Sequence, residues 1–330
     1  MLNTKPLVSA IVVNLNRKDD LRECLNSLLA QDYDNVEIIV VDNGSTDGSP
    51  EMVALEYPQV KLIRLDRNLG CPGGRNVGIL NAKGEILFFL DNDATAEPDV
   101  ISKIVSRMSI DEKLGAVVPQ IINCSSDRNI IHAKDIKSQD KMERYVSVTK
   151  GSSAISREVF QVIGLYPNDY MYGGEETDLS LRMLENGYRI LELPSAVIYH
   201  KESTVHRNRR WEYKNRFNND LRTLWRYAPN LFLLVMGTAK KCIRYFVEAV
   251  RRGFLPEFIS SIIDFPLKFV YVIRHERTAI SLRTYALVHY LNKKDVSDWN
   301  EILFNIFNKD YDLRSYLKEQ ILSIWHKNPK

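Results

Sequence analysis

The sequence predicts an α/β protein built on a mostly parallel central sheet flanked by helices, with a mainly helical extension towards its C-terminal end. Two observations predict the sheet: over residues 1–100, short β-branched apolar runs alternate with stretches of helical period, and every run ends in Asn, Asp or Gly. A βαβα order of this kind joins parallel strands through helices that cover both faces. A shift in charge predicts the extension. Residues 1–200 carry 21 Lys and Arg against 29 Asp and Glu, a net of −8, whereas residues 201–330 carry 24 against 13, a net of +11.

The runs VSAIVVNL (Val8 to Leu15), VEIIVV (Val36 to Val41), VKLIRL (Val60 to Leu65) and EILFFL (Glu85 to Leu90) read as strands, because β-branched and aromatic residues suit a pleated, half-buried surface. Between them Asp19 to Ala30, Ser49 to Tyr57 and Gly73 to Ala82 have helical spacing. After Pro119 the pattern loosens, and residues 120–150 read as loops and short strands facing a substrate. Helical patterning returns at Ser156 to Ile163 and Glu176 to Asn186, and Tyr188 to Tyr199 reads as a strand pair turning at Pro194. From Ser203 onward the chain is basic, aromatic and mainly helical, so the domains are expected to be 1–203 and 204–330.

Composition excludes several classes. With 45% hydrophobic and 26% charged residues, the 330-residue chain is that of an ordinary globular protein. Cys24, Cys71, Cys124 and Cys242 lie far apart with no CxxC pair, which argues against a disulfide framework or a zinc site and for reduced thiols in the cytoplasm. No run approaches the roughly 18–20 apolar residues of a membrane span, LFLLVMG being far too short. The apolar run at Leu7 to Leu15 leads into RKDD, without a small-residue cleavage site, so no signal peptide is expected.

Ligands of open α/β sheets bind at the carboxyl ends of the strands. Here those ends read NLN (Asn14 to Asn16), VDNGSTDGS (Val41 to Ser49), DRNLG (Asp66 to Gly70) and DND (Asp91 to Asp93), so Asp42, Arg75, Asp91 and Asp93 are expected to converge on one rim. Taken in order, VSAIVVNLN, IIVVDNGSTDGS, NLGCPGGRNVGI, LFFLDNDA and GGEETDLSLRMLENGY resemble a family 2 glycosyltransferase of the GT-A fold, over residues 7–203. The resemblance leans towards the rhamnosyltransferase-like branch. It implies a GT-A catalytic domain over residues 1–203 and an inverting hexosyltransferase of cell-surface polysaccharide synthesis. The donor it implies is a UDP- or dTDP-sugar, and the acceptor a saccharide or lipid-linked saccharide. The matching rim positions, Asn14, Asn16, Asp42, Asn68, Gly74, Arg75, Asp91 and Asn92, would then bind the donor nucleotide.

The chemistry at each motif is consistent with that reading. Loss of a nucleoside diphosphate leaves negative charge that Mn2+ or Mg2+ can balance, and such hard ions prefer carboxylate oxygens. DND offers two, Asp91 and Asp93, although a turn is the bland alternative. Asp42 can accept from the N3–H of uracil or thymine, and the family uses the matching acid so; a Ser/Asp/Gly turn with Asp47 or Ser49 as helix cap is the alternative. The glycines of NLGCPGGRNVG do not give GxGxxG; they would let a ligand approach the backbone, and Arg75 would reach the diphosphate or base unless it is a surface ion pair.

GGEETDL supplies Glu175, Glu176 and Asp178. A carboxylate there can take the proton of an attacking acceptor hydroxyl, and a helix start rich in acids is also favoured by the helix dipole. The family pattern is Glu-Asp-x-Asp with the first Asp as base, a position held here by Glu176, which leaves Glu175 and Glu176 as alternatives. His200, closing the strand SAVIYH, matches a His that family members use as a metal ligand beside the DxD.

Two other classes stay open. A nucleotidyltransferase or other nucleotide-binding α/β enzyme is disfavoured because no glycine-rich phosphate loop follows the first strand. A noncatalytic membrane-binding adaptor would use only the basic region, whose Arg, Lys, Trp, Tyr and Phe at helical spacing suit interfacial helices or helices packed on the catalytic domain. No nucleic-acid motif is present, an oligomer is left open, and the expected location is cytoplasmic, peripheral on the cytoplasmic face of a membrane.

Overall fold

The computed structural model describes residues 5–124, 142–201 and 208–302. The chain divides into two compact units, Met1–Asn208 and Arg209–Lys330.

The first unit is a nine-stranded sheet. Its strands are β1 (Val8–Asn14), β2 (Val36–Asp42), β3 (Lys61–Arg64), β4 (Ile86–Phe89), β5 (Ala94–Ala96), β6 (Leu114–Cys124), β7 (Arg144–Tyr145), β8 (Ala154–Ser156) and β9 (Arg189–Lys201). The order is β3-β2-β1-β4-β8-β6-β9-β5, with β7 paired to β9. Its helices are α1 (Lys18–Leu29), α2 (Ser49–Glu56), α3 (Gly70–Asn81), α4 (Val100–Met108), α5 (Arg157–Ile163) and α6 (Glu175–Glu185).

The first four strands are all parallel, as their βαβα order requires. β1, β2 and β4 are largely buried, with Ala10, Val12, Ile39, Val40, Ile86, Leu87 and Phe88 fully enclosed, whereas β3 at the sheet edge stays partly exposed. The other half is mixed: β8 runs antiparallel to both β4 and β6, whereas β6 and β9 are parallel. The loosened pattern after Pro119 conceals one long strand, β6, which passes straight through that proline. Tyr188 to Tyr199 is not a hairpin either. From Arg189 on it belongs to the continuous strand β9, whose register against β6 jumps from Pro119–Leu193 to Gln120–Val197. Pro194 has no N–H to give to a ladder, so it falls in the bulge where none is needed. Of the loops expected between residues 120 and 150, positions 125–141 lie outside the described residues.

The second unit contains α7 (Arg209–Tyr227), α8 (Leu231–Arg252), α9 (Leu255–His275) and α10 (Leu282–Lys293). Tyr213, Phe217, Leu221 and Trp225 repeat every fourth residue along α7 and form the spine of its core, meeting Leu234, Tyr245 and Ala249 of α8 and Val272 of α9. Asn230 caps α8 by accepting the Leu233 N–H at 2.9 Å. Among the described residues no helix is long and apolar enough to cross a membrane.

Candidate active site

The parallel register of β1 and β2 sets Asn14 opposite Asp42. Asn14 Nδ2 donates to Asp42 Oδ1 and to Ser45 Oγ, each at 3.2 Å, while Asp42 Oδ2 accepts the Ser45 N–H at 2.9 Å. Asn16, held at a left-handed φ of 51°, accepts the Thr46 N–H at 2.8 Å and so ties the loop after β1 to the loop after β2. Asn92 Nδ2 donates to Asn14 Oδ1 at 2.8 Å, which brings DND to the same rim. Asn68 accepts from Asn43 Nδ2 at 3.0 Å and from the Gly70 N–H at 2.8 Å, opening α3. Asp47 accepts the Ser49 N–H at 3.0 Å and the Lys18 N–H at 2.9 Å, serving the starts of α2 and α1 together.

Arg75 is the hub of the site. It stands on α3, is 4% exposed, and its guanidinium lies 5.9 Å from the Phe89 ring and 5.7 Å from the Tyr166 ring. Nη1 donates to Glu176 Oε1 at 3.0 Å and lies 3.8 Å from Glu175 Oε1, whereas Nη2 donates to Asp91 Oδ1 at 3.3 Å and to the Gly151 carbonyl at 3.2 Å. One buried cation thus ties DND to GGEETDL. A buried charge needs such partners, and the planar fork of Arg can serve several at once. A surface ion pair is excluded by its burial, and the guanidinium, expected to reach a diphosphate or base, is here engaged by these internal partners.

Asp93 and His200 are distant in sequence, yet β5 pairs antiparallel with β9 so that Ala94 lies opposite His200. The Lys201 N–H donates to the Asp93 carbonyl at 2.9 Å, and His200 Nε2 lies 3.2 Å from Asp93 Oδ1. Arg17 Nη1 lies 3.1 Å from Asp93 Oδ2. The Asp93–His200 pair fits a divalent ion, since neighbouring ligands of an octahedral site with bonds of about 2.1 Å are about 3 Å apart. Asp91 does not join the pair. Its carboxylate turns to Arg75 and to the Ser152 hydroxyl, which donates to Oδ2 at 3.2 Å. Among the described residues no group of three or more His, Cys, Asp or Glu could hold a metal.

The acids of α6 separate into three environments. Glu176 is the most accessible and pairs with Arg75. Glu175 is 4% exposed with Oε2 unpartnered; burial first, and the neighbouring Glu176 charge second, push its carboxyl up to about 7. Asp178 is fully buried and clamps Arg182, whose Nη2 lies at 2.8 Å, while Arg182 also donates to the carbonyls of Ile163, Gly164 and Leu165. Asp178, expected among the catalytic acids, is therefore a structural clamp between α6 and the end of α5.

Gly74 needs a similar correction. A Cβ there would lie 2.6 Å from Val13 Cγ1, so its missing side chain makes room for β1 under α3 instead of for a ligand. Four site residues escape a reading of the sequence: Arg17, Asn43, Gly151 and Ser152. Arg17 follows NLN directly, and the strand-end rule extended by one residue would have found it. Gly151 is tight for a different reason, because a Cβ there would lie 2.7 Å from Asp91 Oδ2.

Residues 9–163 match the family model described as Glycosyl transferase family 2. The chain is similar to the Succinoglycan biosynthesis protein ExoO of Rhizobium meliloti (strain 1021), at 41% identity over 103 residues, which is 31% of this chain and 30% of that one. It thus covers about a third of that relative. Among solved structures it resembles S. aureus TarS 1-349, with a TM-score of 0.58 at 18% identity over 95% of this chain and 92% of that one. It also resembles mannosyltransferase PcManGT from Pyrobaculum calidifontis in complex with GDP-Man and Mn2+, with a TM-score of 0.51 at 20% identity over 99% and 89%. These likenesses establish the fold as GT-A, with a mixed sheet flanked by helices and a helical C-terminal region.

Proposed function

We propose, from the match of residues 9–163 to the model of glycosyl transferase family 2, that this chain is an inverting, metal-dependent glycosyltransferase of cell-surface polysaccharide synthesis. It moves a hexosyl group from a UDP- or dTDP-sugar to a saccharide or lipid-linked saccharide acceptor, in the cytoplasm at the inner face of a membrane. The name of ExoO supports the polysaccharide reading, and the ligands of the mannosyltransferase support a nucleotide-sugar donor with Mn2+.

The observation that carries the proposal is the meeting of DND and GGEETDL on the Arg75 guanidinium. That contact fixes a carboxylate, Glu176, beside the strand ends where a donor binds. Glu176 takes the proton of the attacking acceptor hydroxyl, and Arg75 holds its oxygen in place. Asp93 and His200 would hold Mn2+ or Mg2+, which when bound balances the charge developing on the departing nucleoside diphosphate. Asn14, Asn16, Asp42 and Asn92 form the polar floor under the nucleotide. Asp91 acts at second hand, by fixing Arg75.

The test is a donor screen of the full chain with UDP-, dTDP- and GDP-sugars and Mn2+ or Mg2+, following release of nucleoside diphosphate with and without saccharide acceptors. The proposal expects one donor class to be consumed only with a divalent cation, giving a product of inverted anomeric configuration. Retained configuration, or undiminished release in excess EDTA, would contradict it.

A further inference from the structure

We infer that the outer faces of α8 and α9 form a lipid-docking surface, on which the second unit lies in the headgroup region of an anionic bilayer. A helix that packs on a soluble core needs one apolar stripe. These two have a second. On α9, Phe258, Phe265 and Phe269 pack against the core, yet Ile259, Ile263, Leu267 and Val270 recur at helical spacing on the exposed side, with Ile263 71% and Leu267 82% exposed. On α8, Tyr245 and Ala249 are buried while Phe232, Val235, Phe246 and Val250 face outward. The two helices pack on each other and are joined through Gly253, at a left-handed φ of 71°. Exposed apolar side chains gathered in this way mark an interaction site.

The charge on the same helices identifies the occupant. Lys240, Arg244, Arg251 and Arg252 of α8 and Lys268 and Arg274 of α9 are exposed, with Arg244, Arg252 and Lys268 in ion pairs to Asp220, Glu248 and Asp264, and Asp264 is the one exposed acid between Leu231 and His275. Apolar surface bordered by cations complements a layer of acyl chains under anionic headgroups, where each well-placed Lys or Arg contributes about a factor of five in binding. A second copy of the chain would bring the same cations to the same face and be repelled. Neither helix is long and apolar enough to cross a membrane, so both lie in the plane of the surface.

The test is sedimentation of the full chain with phosphatidylcholine vesicles, alone or mixed with phosphatidylglycerol, at low and high salt. No donor, acceptor or metal is needed, so its outcome is separate from that of the glycosyl-transfer reading. The wild type should bind the anionic vesicles strongly and the neutral ones weakly. The exposed double variant Ile263→Glu/Leu267→Glu should lower binding about tenfold or more at either salt, with unchanged helical circular dichroism. Arg251→Glu/Arg274→Glu should lower it about tenfold at low salt and less at high salt. No binding to anionic vesicles at low salt would overturn the inference, as would binding indifferent to Ile263→Glu/Leu267→Glu. A dimer in light scattering that this same variant converts to monomer would also overturn it, by making the face a contact between copies.

Discussion

The strand ends of the first unit and the outer faces of α8 and α9 in the second depart from the usual sorting of side chains in opposite senses. In the first, charge is taken inside: Arg75, Asp93 and Glu175 are buried where most charged residues stay wet. In the second, Ile263 and Leu267 stay in water where most such residues are enclosed. Both arrangements are unfavourable for an isolated chain, and on the two proposals above each would be relieved by a different ligand. Buried charge poised at a strand end suits a diphosphate and its cation; apolar surface edged by cations suits lipid. If the proposals hold, catalysis and location belong to separate units and can be broken separately.

The largest effect should follow from Asp93→Ala. Turnover should fall by about three orders of magnitude, because the charge on the leaving diphosphate loses its counter-ion, while vesicle binding stays at wild-type level. Coupled loss of both activities in steady-state and sedimentation assays would break the separation. Next, Glu176→Gln should lower turnover by about two orders of magnitude or more and leave donor affinity unchanged, since a base acts on the transition state. If calorimetry instead finds donor binding lost with turnover, Glu176 holds the donor and Glu175 becomes the candidate base. A smaller loss, about tenfold, is expected for Gly151→Ala, whose Cβ would push Asp91 away from Arg75. Wild-type kinetics in that variant would show that Asp91 needs no such fixing.

The smallest effect concerns pH. Glu175 has an ordinary value of 4.5 and is pushed up to about 7 in the folded chain, so folding favours its protonated form. Its contribution to stability is complete below about 4.5 and is lost as pH rises through about 7. Glu175→Gln should therefore melt progressively higher than the wild type between pH 5 and pH 8, by a few degrees, with no such trend in the vesicle assay. Melting curves that stay parallel across that range would remove Glu175 from the set of buried groups held at a cost.

The parallel half of the sheet was legible in the sequence because each strand, helix and strand end is local: β1, β2 and β4 follow their β-branched runs, and Asn14, Asp42 and Asp91 sit where those runs stop. His200 was legible only through the family pattern, since its place beside Asp93 depends on the pairing of β5 with β9. What escaped depends on neighbours remote in sequence. Gly151 and Ser152 reach Asp91 from the loop before β8, and nothing in GSS announces a partner that far upstream. Asp178 misled because a carboxylate in an acidic helix start looks the same whether it faces substrate or Arg182. Pro194 misled because a proline suits a turn and a bulge equally well.

On the proposed function, Asp93 and His200 hold a divalent cation at the strand ends. Titration of Mn2+ into the full chain with UDP present, read by the loss of free-Mn2+ electron paramagnetic signal, tests this directly. One ion per chain should bind to the wild type, with affinity reduced about a hundredfold in Asp93→Asn and about tenfold or more in His200→Ala. Equal Mn2+ affinity in all three proteins would contradict it.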